Sequence, residues 1–378
     1  MKICVTGLRG IPGVIGGVET HCEELLPRIA QINPDIEIEV CCRARYVDPE
    51  MESFRRVRLA PLYAPSGNVS EALVSTTVAI VHAWRNGVDA VHIHAIGPAL
   101  LAPLARLLGL SVLLTHHGAD YNRAKWGHVA RSMLKLGERL GMRCANRVIC
   151  VSPSLAEDMR ASYPAAAGKV VFIPNGVDPP EPPEEPAADV LARLRCESGN
   201  FVLCAARLVP EKGIDYLIEA HRRSGDSRTL VIAGAGRKVD RYAEELMAQA
   251  GDAVRMLGMQ PRSVLGVLYR HASLFVLPSF HEGLPIAALE ALSCHCPVLL
   301  SDIQPNLDLG LPPQCYFPVG DVDALAQRLA EGRTNINGAG ASTSPALMSW
   351  DEVAIRTSPY YREMANRTRL TPALRNAG

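Results

Sequence analysis

Two glutamates separated by seven residues, Glu282 and Glu290, stand in the stretch PSFHEGLPIAALEALSCHCPVLLSD. Glu282 falls in a loop. Gly283-Leu284-Pro285 are expected to open a helix, which puts Glu290 about two turns along it. The neighbours of Glu290 are Ala288, Leu289, Ala291 and Leu292, and a carboxylate among such residues is costly unless partnered. A ribose diol would partner it, and backbone N–H groups at Gly283 and Leu284 would meet phosphates. Earlier, ARLVPEKG sets Arg207 and Lys212 just after a strand. There an arginine fork and a lysine point charge could clamp a diphosphate. The same pair could also be an exposed basic turn.

A second candidate is the loop GLRGIPGVIGGVET, which follows the apolar run KICV. Its glycines at 7, 10, 13, 16 and 17 do not match G-x-G-x-x-G. The next strand ends in EVCCRAR, with basic residues where a ribose-binding acid belongs. No Lys-Ser/Thr follows, so the Walker form fails as well. Gly16 and Gly17 remain at the start of a helix, where backbone can approach a ligand and free N–H groups favour an anion. A plain surface turn is the bland alternative.

These residues need a scaffold, and the chain supplies a repeating one. Short apolar runs KICVT, IEIEVCC, DAVHIHA, SVLLTHH and RVICVS read as buried parallel strands. Helical patterns cover 19–31, 70–86, 98–108 and 127–145. The segment IPNGVDPPEPPEEPAADV is too rich in proline to continue either kind of element. The rhythm then restarts with FVLCAARL, RTLVIAGAG, AVRMLG, LFVLPS and PVLLSD. The expected fold class is therefore α/β, with two Rossmann-like domains and a ligand cleft between them. The expected division is 1–172, a linker at 173–186, a second domain at 187–349, a helix at 350–366 and a loosely ordered tail at 367–378. Ser349 and Glu352 have the spacing of a capping box for that last helix.

With 378 residues, two domains are the natural expectation. Lys+Arg and Asp+Glu both total 39, so net charge gives no sign of a nucleic-acid partner, and none is expected. The most apolar stretch, AIGPALLAPLARLLGLSVLLTHH, is broken by Pro98, Pro103, Arg106 and Gly109 and reads as a packed helix and a buried strand rather than a membrane span. Eleven scattered cysteines without a CxxC pair read as small buried hydrophobes in a reducing compartment such as the cytoplasm.

The order and spacing of GVIGGVETH, DAVHIHAIGP, THHGADYNRAKWG, IPNGVD, ARLVPEKG and EGLPIAALE, from about residue 2 to 365, resemble the retaining nucleotide-sugar glycosyltransferases of family 4, with the GT-B fold. HGADYNRAKWG is similar to a subset engaged in bacterial polysaccharide assembly. The resemblance implies that the two domains face each other across a cleft and that the C-terminal helix crosses back to the first. It implies that Gly16 and Gly17 lie near the donor phosphates and the acceptor, and that His117 touches the transferred sugar. Arg207 and Lys212 would neutralise the diphosphate, Glu282 would hold sugar hydroxyls, Glu290 the ribose, and Gly283 and Leu284 would offer N–H groups. Two departures stand out. His295 occupies a position where the family usually has glycine, so the loop after the donor helix is open to reshaping. Ala206-Arg207-Leu208 replaces the more usual GRL.

Other signals are weaker. Asp321 and Asp323 mimic a metal-binding D-x-D but are better read as a helix N-cap and a first-turn acid. His92, His94, His116 and His117 lack an accompanying carboxylate or cysteine. His94 is expected to face the cleft on the acceptor side and His117 on the donor side, with His92 and His116 structural. No cofactor or metal is expected to be required. Arg131, Lys135, Arg139, Arg143 and Arg147 form a diagonal basic band, and Arg43, Arg45, Arg55, Arg56 and Arg58 cluster separately. Both suit a solvated face, or peripheral contact with an anionic membrane or a lipid-diphosphate acceptor.

The expected activity is transfer of a hexose or deoxyhexose from a nucleotide diphosphate sugar to a glycan or lipid-linked glycan acceptor. The expected location is the cytoplasm, extending to the inner face of its membrane. The alternatives are a nucleotide-sugar 2-epimerase of the same fold and a non-catalytic nucleotide-sugar-binding partner.

Overall fold

The structure, a computed structural model, describes residues 1–123, 126–236, 241–331 and 347–369. Residues 124–125 of the HGADYNRAKWG stretch and 370–378 of the expected tail lie outside the described residues. The chain divides into two compact units. Unit 1 comprises Met1–Gly176 and the segment from Met348 onward, and unit 2 is Val177–Leu347.

Unit 1 is built on β1 (Lys2–Thr6), β2 (Glu37–Arg43), β3 (Ser53–Phe54), β4 (Val57–Leu62), β5 (Ala90–His94), β6 (Ser111–His116), β7 (Arg147–Cys150) and β8 (Val170–Phe172). They form one eight-stranded sheet in the order β3-β4-β2-β1-β5-β6-β7-β8. All pairs are parallel except the β3–β4 hairpin. Helices α1 (Gly17–Ile32), α2 (Asn68–Arg85), α3 (Ala102–Leu107), α4 (His128–Cys144) and α5 (Pro153–Ser162) complete the first part of the unit. The single helix expected at 98–108 is instead a 3-10 turn, Pro98–Leu101, followed by the short α3, with proline in the first turn of each.

Unit 2 begins with irregular backbone through residue 186 and then α6 (Ala187–Arg193). Its strands are β9 (Phe201–Ala205), β10 (Thr229–Ala233), β11 (Val254–Gly258), β12 (Leu274–Leu277), β13 (Val298–Ser301) and β14 (Tyr316–Phe317), in the order β11-β10-β9-β12-β13-β14. Its remaining helices are α7 (Ile214–Ser224), α8 (Arg241–Gln249), α9 (Arg262–His271), α10 (Ile286–Ser293), α11 (Gln304–Leu307) and α12 (Val322–Ala330).

The last helix, α13 (Trp350–Arg369), belongs to unit 1 and packs on α1. Its start is a capping box: Ser349 Oγ accepts from the Glu352 N–H at 3.2 Å, and Glu352 Oε2 accepts from the Ser349 N–H at 2.9 Å. Trp350, Val353, Ala354 and Tyr361 are fully buried in the unit 1 core beside Leu25, Leu26 and Ile29 of α1. Burying such a side chain stabilises by about 1.5–3 kcal/mol. Polar contacts fix the register of the two helices. The amide of Asn33 donates to Ser358 Oγ at 2.9 Å, and Arg28 Nε donates to Asp351 at 2.9 Å.

Both sheets reverse their strand order once in the middle, at β1|β5 in unit 1 and at β9|β12 in unit 2. Ligands of doubly wound sheets bind beyond the strand C-termini at such points. The candidate residues fall there in both units.

Candidate active site

In unit 1 the glycine loop leaves β1 and runs over the end of β5. Gly7 has φ +100°, and a Cβ there would sit 2.2 Å from the carbonyl oxygen of His94. Only glycine allows this approach. Gly16 is the N-cap residue of α1 and Gly17 its first residue, two positions earlier than the expected start. Acidic side chains of α1 fold back into the loop. Glu19 Oε1 accepts from the Arg9 N–H at 3.1 Å and from Arg9 Nε at 3.0 Å, and Glu23 Oε2 accepts from the Gly13 N–H at 2.9 Å. The loop is thus shaped by protein carboxylates. Space for a ligand remains at Gly17, where an added Cβ would meet nothing within 4 Å.

The histidines sort differently from their order in sequence. His92 is buried and bonded at both nitrogens, Nδ1 to the Tyr361 hydroxyl at 2.8 Å and Nε2 to Thr115 Oγ1 at 2.7 Å. His116, expected to lack a carboxylate, has one supplied by α4: its Nε2 lies 3.1 Å from Glu138 Oε2, and its Nδ1 accepts from the Gly118 N–H at 3.2 Å. The set that converges is His94, His117 and His21, a residue of α1 that the motif reading passed over. His94 Nδ1 is 3.0 Å from His117 Nε2, and the His21 ring stands edge-on to His117 at 4.9 Å. Asn175 Oδ1 holds His21 Nδ1 at 2.9 Å.

His94 is fully buried. It therefore does not face open space as expected and supports the half-buried His117 from beneath. Burial favours the neutral imidazole throughout. It pulls His21 down to about 4 and, together with the charge His21 would carry, His92 to about 3. His94 and His117 also lie well below the usual histidine range through burial and their neighbouring rings. At neutral pH the cluster offers uncharged hydrogen-bonding nitrogens.

In unit 2 the turn after β9 carries half-buried Arg207 and Lys212. Lys212 ends a 3-10 turn, Pro210–Lys212, and Gly213 follows at φ +62°. A Cβ at Gly213 would meet the Pro278 carbonyl oxygen at 2.5 Å, so the turn packs tightly onto the end of β12. There the Lys212 ammonium donates to Glu282 Oε1, which also accepts from Ser279 Oγ at 2.7 Å. Burial alone would raise the Glu282 carboxyl, but the Lys212 charge and these hydrogen bonds outweigh it and hold the acid below its ordinary range. Glu282 is thus an ionised acceptor.

Glu290 is buried on α10, facing α9. Its Oε1 accepts from Arg262 Nε at 3.0 Å and its Oε2 from the Tyr269 hydroxyl at 3.3 Å. These two partners fix the carboxylate in place. Gly283 and Leu284 do not open the helix. α10 starts at Ile286 with Pro285 as N-cap, so the positive end of its dipole lies at Ile286 and Ala287. His295 is exposed at φ +57°. Its N–H reaches Leu292 O at 3.0 Å and the Cys296 N–H reaches Ala291 O at 2.9 Å, a left-handed helix stop of the kind glycine normally forms. The substitution leaves the turn left-handed.

Asp321 Oδ1 accepts from the Ala324 N–H at 2.9 Å as the N-cap of α12, and Asp323 pairs with Arg223. The basic band is shorter than its spacing suggests. Arg147 lies in β7 and binds Glu363 at 2.8 Å. Arg43 and Arg45 share Glu71, and Arg58 pairs with Glu37. Lys135, Arg139 and Arg143 remain exposed on α4 beside the exposed Val129 and Leu136. Among the described residues no helix is long and apolar enough to cross a membrane.

Comparisons with known proteins agree with this layout. Residues 15–181 match the family model Glycosyltransferase Family 4, and residues 193–332 match Glycosyl transferases group 1. A GDP-mannose-dependent alpha-(1-6)-phosphatidylinositol monomannoside mannosyltransferase from Mycobacterium tuberculosis is 31% identical over 74% of this chain and 77% of its own length. A sucrose-phosphate synthase from Thermosynechococcus elongatus superposes with a TM-score of 0.79 at 21% identity, over 97% of this chain and 99% of that one. Anabaena HepE in complex with UDP-glucose gives 0.73 at 17% identity, over 96% and 100%. With its two parallel α/β units and its returning C-terminal helix, the chain belongs to the family 4 glycosyltransferases of the GT-B fold.

Proposed function

We propose that this glycosyltransferase moves a hexose or deoxyhexose, with retention, from a nucleotide diphosphate sugar to a glycan or lipid-linked glycan acceptor in polysaccharide assembly. The observation that carries this reading is the Lys212–Glu282–Ser279 constellation at the β9|β12 reversal. Lys212 is a fixed cation beside an ionised acceptor for sugar hydroxyls, with Arg207 on the same turn. As the bond from the sugar to the diphosphate breaks, positive charge grows on the ring and negative charge on the leaving group. Preorganised Lys212 and Arg207 stabilise the departing charge, so transfer needs no metal in this reading. The neutral His117 bonds the transferred sugar, and Glu290 takes the ribose. The α4 residues Lys135, Arg139 and Arg143 suit peripheral contact with the inner face of the cytoplasmic membrane.

The resemblance to a mannosyltransferase and to a UDP-glucose-binding protein supports a nucleotide-sugar donor and favours transfer over epimerisation. The deciding experiment is a thermal-shift screen against UDP, GDP, dTDP, ADP and their sugars, with NAD as control. A shift with one nucleoside diphosphate family supports the donor site and names its base. A shift with NAD alone overturns the reading. Binding to anionic vesicles above that to neutral ones, in co-sedimentation, would support the membrane contact, and equal binding would remove it.

A further inference from the structure

A second group of ligating side chains lies away from this chemistry, on the face of the unit 1 sheet that α2 covers. Cys4 of β1 pairs in register with Glu39 of the parallel β2. Cys41 follows two residues later, so all three side chains share one face. From α2, His82 reaches the same point. His82 Nε2 is 2.9 Å from Glu39 Oε2, and the Cys4 and Cys41 sulfurs are 3.1 Å apart. One ligand atom from each of Glu39, Cys41 and His82 lies within 4.8 Å of the others.

We infer that Glu39, Cys41 and His82 form a binding site for a thiophilic divalent cation of the Zn2+ class, tying β2 to α2, with Cys4 of β1, whose sulfur touches that of Cys41, turning in as the fourth ligand. Two thiolates, an imidazole and a carboxylate are a four-ligand set suited to tetrahedral zinc. The sulfurs already converge more closely than ordinary non-bonded carbons, at about 3.5–4.0 Å. On binding, two S–H bonds are lost as their protons pass to solvent, and two metal–thiolate bonds form. With tetrahedral zinc–sulfur bonds of about 2.3 Å the sulfurs would stand about 3.8 Å apart, so they part by roughly 0.7 Å.

The surroundings supply the supporting groups such a site needs. Asn86 Nδ2 is 3.2 Å from His82 Nδ1. The same Nδ2 donates to the His82 carbonyl oxygen at 2.8 Å, which holds the amide beside the ring. A cavity of about 170 Å³, lined by Glu39, His82, Asn86 and Lys2, reaches the carboxylate and the imidazole, and the two cysteines lie behind its lining. The nearby cations Lys2 and Arg58 are both paired with Glu37. The cavity opens at the beginnings of β1 and β2, whereas the glycosyl-transfer residues sit at strand ends. The ion's role is to brace the sheet.

Cobalt titration of the reduced, full-length protein under nitrogen tests the assignment. The expected result is one equivalent of Co2+ with a thiolate-to-cobalt charge-transfer band and tetrahedral d–d absorption, both removed by Zn2+. Cys41→Ser removes at least about half of the charge-transfer band, and the double variant Cys4→Ser/Cys41→Ser abolishes it. His82→Gln, a half-buried change that spares the core, weakens Co2+ binding about tenfold or more. Cobalt held at His21, His94 and His117 gives no thiolate band, so the two histidine groups are distinguished. A wild-type protein without the thiolate band overturns the inference. So does a band unchanged in His82→Gln, or a Cys4–Cys41 disulfide in protein kept reduced.

Discussion

His94 Nδ1 lies 3.0 Å from His117 Nε2, so one proton serves both rings. His94 Nε2 is buried and makes no hydrogen bond among the described residues. A buried bare nitrogen is tolerated better than a buried orphan N–H. The proton therefore sits on His94 Nδ1, and His117 is left with Nδ1–H as its remaining donor. His117→Ala should reduce kcat about 10²-fold. His94→Leu, which removes only the support, should cost about tenfold with little change in donor KM. Steady-state kinetics of both variants, beside thermal melts to confirm folding, checks this. An unaffected His94→Leu enzyme would refute the tautomer relay.

Lys212→Ala should lower the transfer rate about 10²–10³-fold, because the diphosphate loses a cation as charge develops. It also strands Glu282, at a stability cost of about 3 kcal/mol. Adding Glu282→Gln should restore most of the stability and none of the activity. Denaturant melts separate the two effects, and unchanged turnover in Lys212→Ala would show that the donor site lies elsewhere.

Glu290→Ala should act mainly on donor binding, raising KM for the nucleotide sugar about tenfold. Because Arg262 and Tyr269 also bond this carboxylate, the variant should lose about 1–3 kcal/mol of stability. Denaturant unfolding followed by circular dichroism, together with donor titration, would check both. A loss of kcat alone would contradict the ribose role.

Acid should destabilise unit 1 through its histidines. His21 is held at about 4 and His92 at about 3, against an ordinary 6.5. Between 6.5 and these values the unfolded chain takes up protons that the folded chain refuses. Stability present above 6.5 is therefore lost as pH falls through that window. His21 alone accounts for about 3 kcal/mol. Chemical denaturation from pH 7.5 to 4.5 should show the fall, and His21→Asn should make it shallower, with the remaining fall carried by His92, His94 and His117.

His295→Gly should raise stability by about 1 kcal/mol, since a left-handed residue with a side chain is replaced by one without strain there. The measurement is the denaturation midpoint of unit 2, and a lower midpoint would mean that the side chain has a compensating contact.

Much of this architecture could be read from residue types. Runs such as KICVT and LFVLPS announce buried parallel strands because both faces are covered, and Ser349 with Glu352 marks the start of α13. β4 was missed because VRLAPL carries an exposed arginine and a proline, as sheet-margin strands do. β3 and β14, two residues each, are too short to show a period. His21 was hidden on the buried face of α1, among Cys22, Leu25 and Leu26, where a histidine looks like core. Glu290 announced its need for partners, but Arg262 and Tyr269 reach it from another helix. Local pattern identifies which residue needs company and seldom says which one provides it.

Because α13 completes unit 1 only after all of unit 2 has been made, the order of synthesis is not the order of assembly. Tyr361, which bonds His92, and Trp350, which packs on Gly176 and on the ring of His21, leave the ribosome only after the whole of unit 2. Until then the first half of the chain holds a histidine cluster without its lid and an α1 face without its cover. A chain that stalls before residue 350 should therefore expose apolar surface to chaperones and proteases.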